Sequence, residues 1–142
     1  MNILYKSAFP LTVFIALCAT AAQAEEVVVA NPKSGLTELS KQEVSDLFLG
    51  KRATFPDGRM AVPLDHAEGT PSREDFHGKF TGKSPAQLKA YWSKQVFSGK
   101  GTPPKEVPGS ADAKKLVAEN PSMIAYIDKS QVDASVKVVA AP

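Results

Sequence analysis

Two histidines and several carboxylates crowd one short segment of the chain. Asp65, His66, Glu68, Asp75 and His77 fall within 13 residues. All are residue types that ligate metals or move protons. Their spacing matches no zinc-binding pattern, and the two histidines stand 11 residues apart across a helix start. The bland expectation is a pair of histidines at the surface or rim, with no metal and no other cofactor. The same segment holds Gly69-Thr70-Pro71-Ser72-Arg73. Thr70 suits an N-cap and Pro71 the first helical position. A helix begun this way leaves unpaired backbone N–H groups and the positive end of its dipole, which attract anions. The Thr70 and Ser72 hydroxyls and the Arg73 guanidinium add donors. The plain alternative is a turn that only starts a helix, since Ser and Thr caps are common.

Other chemistries find little support. Nothing resembles a nucleophile elbow, a P-loop or a dinucleotide fingerprint. The loop Ser98-Gly99-Lys100-Gly101-Thr102 is read as a connector, because it follows no expected strand. Residues 1–24 read as a secretory signal peptide: Lys6, then an apolar stretch from Phe9 to Ala19, then Ala22-Gln23-Ala24 before a cleavage point at Glu25. Cleavage would remove Cys18, the single cysteine, and leave residues 25–142 as one domain of 118 residues without disulfides. Sixteen basic and 15 acidic residues would remain, interspersed along the chain. That pattern has no basic stripe and argues against nucleic acid. The expected location is the periplasm, with no membrane span beyond the signal.

The elements that must position the central segment are legible in part. Val27-Val28-Val29-Ala30 is an unbroken apolar run, as in a buried strand. Ser40 and Glu43 form a capping box, with Leu39 and Val44 as its hydrophobic staple. Val44, Leu47 and Phe48 then share a helical face that Gly50 closes. Phe55-Pro56-Asp57-Gly58 reads as a turn. Met60 to Leu64 reads as a strand, with Pro63 making it an edge strand or marking its end. Phe76 and Phe80 lie four apart on the helix that Thr70 starts, and Gly82-Lys83 breaks it. Ser84-Pro85-Ala86-Gln87 starts another helix, with Leu88, Tyr91, Trp92 and Val96 on one face. Ser110 is the expected cap of a further helix, stopped by Asn120-Pro121. Met123 to Ile127 and Val136 to Val139 read as the last strands. Strands alternating with helices point to an α/β sandwich around a central sheet.

The run Leu39 to Lys51, then Phe55-Pro56-Asp57-Gly58-Arg59, then Val62-Pro63, resembles one lobe of the phosphate-binding proteins of ABC transporters. Leu47-Phe48-Leu49-Gly50-Lys51 is its most specific part. Asn120 to Ile127 is similar to that family's "TPGAIGY" strand, and Tyr91-Trp92-Ser93 to Gly101 resembles a short stand-alone branch. The resemblance implies an α/β, three-layer sandwich with a central mixed sheet, as in one lobe of a type II periplasmic binding protein. It implies binding of phosphate or another small oxyanion, without catalysis. The family's R-S-D-G-S-G-T phosphate motif falls on His66 to Ser72. The implied ligand residues are therefore His66, Glu68, Gly69, Thr70 and Ser72, with Arg73 supplying charge from the neighbouring turn. Here His66 replaces the family's Arg, Glu68 its Asp and Pro71 its second Gly, so one N–H donor is lost. The transporter proteins close two lobes on the ligand, and this chain has room for one. A second copy or a protein partner would supply the missing half. Alternatively the scaffold is an interaction module that docks through Tyr91, Trp92 and Phe97.

Overall fold

The computed structural model describes residues 25–142. The signal-peptide segment expected at 1–24 lies outside them. Five strands form one mixed sheet in the order β3-β2-β4-β1-β5. They are β1 (Glu26–Ala30), β2 (Val62–His66), β3 (Lys105–Val107), β4 (Met123–Asp128) and β5 (Lys137–Ala140). β1 runs antiparallel to β4 and β5, whereas β2 runs parallel to β3 and β4. All of β1 is buried, which explains the unbroken apolar run from Val27 to Ala30: both faces of the sheet are covered.

Helices α1 (Lys41–Phe48) and α2 (Pro71–Phe76) pack on one face and α4 (Ser110–Glu119) on the other, making three layers. Val28, Ile124 and Tyr126 meet Leu47, Phe48 and Phe76 on the first face. Val27, Val29, Ala125 and Ile127 meet Ala113 and Val117 on the second. The alternation of β1 and β4 residues between these clusters is the two-residue period of a strand. The capping box of Ser40 and Glu43 is formed, and Leu39 and Val44 are both buried in the first cluster. Helix α3 (Pro85–Phe97) forms a satellite instead: Leu88 and Trp92 pack against Leu49, beside Tyr91. Gly50, at φ +70°, is required there, since a Cβ would stand 3.2 Å from the Trp92 ring.

Several expectations need correction. β2 is an interior strand, and Pro63 is tolerated because pairing with β3 begins only at Leu64. β3 was not legible: three residues after a Pro-rich loop have no strand pattern. Gly109, not Ser110, is the N-cap of α4, and the Ser110 hydroxyl instead accepts from the Asp128 N–H at 3.0 Å. The helix from Thr70 turns π-helical at His77–Thr81 before Gly82 ends it at φ +68°. On α3, Val96 is exposed rather than packed.

Glu26 is fully buried at the start of β1, and neither carboxyl oxygen has a partner among the described residues. Burial, then the charges of Asp128 and Asp75, push its pKa up, against the nearby Ser72 hydroxyl and Lys79. The folded state therefore holds this proton more tightly than the unfolded chain. The Glu26 contribution is fully present below the unfolded value of 4.5 and is lost as pH rises through the raised folded value. Glu26→Gln should thus raise the melting temperature relative to wild type at about neutral pH, and the gain should vanish below about pH 4. Thermal melts of both proteins across pH check this.

Candidate functional site

The carboxyl end of β2 carries a buried carboxylate with four partners. Asp65 is 1% exposed. Its Oδ1 accepts from the Tyr126 hydroxyl and from the His66 backbone N–H at 2.9 Å. Its Oδ2 accepts from His77 Nε2 at 2.9 Å, with Arg73 Nη1 at 3.9 Å. Burial alone would raise the Asp65 pKa. The hydrogen bond and charge of His77, the Tyr126 hydroxyl and Arg73 outweigh it, so the carboxyl ends below its usual range. Burial, with the Asp65 charge and hydrogen bond, pushes the Tyr126 phenol far up, so it stays a donor. The Tyr126 ring stacks on Phe76 at 3.9 Å and on His66 at 4.3 Å. His66 Nε2 donates to the Tyr126 carbonyl at 2.8 Å. Burial lowers the His66 pKa, and the Tyr126 carbonyl and Asp65 recover part of the shift. Beyond His77, its Nδ1 lies 3.2 Å from Thr81 Oγ1, which donates back to the His77 carbonyl at 2.9 Å.

Above this network sits the start of α2. Gly69, at φ +84°, turns the chain off the sheet. Thr70 is the N-cap and Pro71 the first helical residue. The Thr70 hydroxyl donates to the Ala67 carbonyl at 2.8 Å and accepts from the Arg73 N–H at 3.4 Å. Arg73 then folds back toward the sheet. Its Nη1 donates to the His66 carbonyl at 2.9 Å and to Glu106 Oε1 at 2.8 Å. Its Nε and Nη2 make no hydrogen bond among the described residues. The Arg73 side chain is 13% exposed, against 49% for Glu106.

Arg73 borders a groove of about 340 Å³ between the α2 start and α3. Leu88, Trp92 and Val96 make its apolar wall, and Glu68, Gly69 and Arg73 belong to the opposite side. The indole N–H of Trp92 is buried without an acceptor among the described residues. His77 reaches the groove from below.

Of the six residues expected to hold an anion, Glu68, Gly69 and Arg73 thus line the groove. Thr70 and Ser72 do not line it: the Thr70 hydroxyl is used by the cap, and Ser72 sits by the buried Glu26 carboxyl. His66 is 1% exposed and bonded inward. The expectation that both histidines lie at the rim is therefore corrected: His77 is also 1% exposed, because Asp65 draws it in. Among the described residues, no group of three or more His, Cys, Asp or Glu side chains is placed to hold a metal ion. Tyr126 and Glu106 were missed as site residues. Tyr126 reads as an apolar strand position, and Glu106 lies on the strand that carries no pattern. The aromatic docking face expected on α3 also shrinks. Trp92 is buried and the Tyr91 hydroxyl donates to the Leu49 carbonyl, leaving only Phe97 fully presented to solvent.

No protein-family model matches the sequence, and no curated protein matches it either. Solved structures do match. One is a Clostridium perfringens protein assigned as a phosphate ABC transporter substrate-binding protein and solved with phosphate bound. It is similar at a TM-score of 0.64 and 21% identity, over 82% of this chain and 44% of that one. Another is an ABC-type phosphate transport receptor from Vibrio cholerae, at a TM-score of 0.66 and 17% identity, over 84% and 48%. The chain therefore has the fold of one lobe of such proteins and spans less than half their length. Among the described residues, no helix is long and apolar enough to cross a membrane.

The buried network sets two expectations. Asp65→Ala would strand His77 and the Tyr126 hydroxyl and leave Arg73 without its inner counter-charge. It should cost about 3–5 kcal/mol in urea denaturation. The lowered His66 pKa means that the unfolded chain takes up the proton first. Stability is full above the unfolded value of 6.5 and falls as pH drops below it. His66→Gln, whose amide can still donate to the Tyr126 carbonyl, should flatten that part of a stability-against-pH profile.

Proposed function

We propose that this protein is an exported, non-enzymatic, single-lobe binding module that takes phosphate or another small oxyanion at the Gly69 to Arg73 helix start, in the periplasm. The observation that carries this reading is the guanidinium of Arg73. Its Nη1 is anchored on the His66 carbonyl and Glu106, its Nε and Nη2 make no hydrogen bond among the described residues, and the residue lines the groove. Arg is suited to that task because its fork can grip an oxyanion with two parallel bonds. Glu106 now occupies part of the guanidinium. As a half-exposed partner it contributes only about 0–1 kcal/mol, so an anion can compete with it. The fold shared with phosphate-binding proteins supports the same reading. Phosphate is bound in the Clostridium perfringens protein. With one lobe, the ligand stays wet on one side, where charge interactions are weak. Modest affinity, or completion by a second copy or a partner protein, follows.

Thermal melts of the chain from Glu25 onward test this, with millimolar phosphate and with sulfate as the ionic-strength control. Ligand at about 100 times Kd adds roughly 2.7 kcal/mol to the folded state. Phosphate should raise the melting temperature of wild type, Arg73→Ala should abolish the rise, and Glu106→Gln should enlarge it. Absence of any rise in both wild type and Glu106→Gln would sink the reading. A second reading is favoured by Phe97, which is 95% exposed beside the exposed Val96. An interaction module of that kind would show a concentration-dependent mass that Phe97→Ser removes, and no ligand effect.

A further inference from the structure

The groove is built for more than a bare oxyanion. A tetrahedral anion held on Arg73 would fill a small part of about 340 Å³. That volume is at the lower end of the roughly 300–1,000 Å³ of pockets that bury small organic molecules. Such pockets combine a mainly apolar lining with a few placed polar groups, and the same division is present here. Leu88, Trp92 and Val96 project from one face of α3, with spacings of four residues, and form a continuous apolar wall. Arg73 stands on the other side. The charge of the ligand follows from which groups are held. Glu68, Glu74 and Glu106 line the groove and are exposed, Glu106 pairing with Arg73 Nη1 at 2.8 Å, and Lys83 and Lys89 line it as well. Arg73 is largely buried and fixed by the His66 carbonyl, and its Nε and Nη2 make no hydrogen bond among the described residues. Arg73, Lys83 and Lys89 thus balance the three glutamates, and the cation held in place and partly desolvated is the one that selects the charge of a ligand, since its exposed Glu106 partner is only weakly bound.

We infer that the ligand of this groove is an organic phosphate, with its anionic head on Arg73 and an apolar body along the Leu88–Trp92–Val96 wall. The inference rests on the oxyanion reading above and narrows its substrate class.

Phenyl phosphate is the probe, compared with inorganic phosphate and with phenol. Trp92 is the single tryptophan and lines the groove, so its fluorescence reports occupancy directly. Phenyl phosphate should bind at least about tenfold more tightly than inorganic phosphate, the factor expected from burying about two methylene-sized apolar groups. Val96→Asn changes an exposed position and should fold. It should reduce that advantage several-fold. Equal affinity for phenyl phosphate and inorganic phosphate would overturn this inference and leave the oxyanion reading standing. Phenol binding as tightly as phenyl phosphate would overturn both, because the anion would then contribute nothing. Binding of neither phosphate would likewise remove both.

Discussion

A carboxylate buried in the middle of the molecule governs the arrangement of everything around it. Taking Asp65 out of water costs several kcal/mol unless its oxygens are matched by donors. Three donors and one counter-charge from four places meet it: the His66 backbone, the Tyr126 hydroxyl on β4 and His77 on the π-helical turn donate, and the Arg73 guanidinium on α2 stands 3.9 Å away. Each tie fixes an element. β2 is keyed to β4 through Tyr126, and α2 is drawn onto the sheet through Arg73 and His77. Phe76 then closes on the Tyr126 ring in a stack only 4° from parallel. The π-helical turn belongs to this geometry, because it carries His77 down to Asp65 while Phe80 remains in the core.

That constraint also determines what the surface can offer. Arg73 is held by its inner partners and cannot swing into solvent as a free arginine would. It is therefore a preorganised cation at the edge of a groove, and preorganisation lowers the entropy cost of binding. The helix start itself offers less than its sequence suggests. Pro71 has no N–H, the Thr70 hydroxyl is engaged, and Ser72 turns toward Glu26. The helix has only six residues, so its dipole adds little. In the proposed binding mode, recognition therefore rests on one guanidinium and an apolar wall rather than on backbone amides. In a single lobe that wall matters more, because charge interactions exposed to water are weak while apolar contact retains its value.

Local chemistry was read correctly where it is local. The capping boxes at Ser40 and Ser84, the cap at Thr70, the stops at Gly50 and Gly82 and the apolar runs of β1 and β4 all stand as expected. The failures share one cause. β3 has no pattern because three residues at a sheet edge have too little buried area to impose one. Pro63 misled because its tolerance depends on where a neighbouring strand begins. His66 and His77 looked like rim residues because nothing within their segment reveals that Tyr126, some 60 residues away, shares Asp65 with them.

The sequence by itself therefore determined the helices with their caps except that of α4, the central strands, the α/β class and the segment that holds the two histidines and Arg73. These depend on contacts within a few residues, where propensity and periodicity act directly. Only the tertiary structure decided which side chains of that segment face inward and which line the groove. That choice depends on the desolvation of Asp65, a cost that no local signal encodes and that only distant partners can offset. It turned His66 and His77 into internal supports, left Arg73 at the groove, and placed the wall of α3 opposite it.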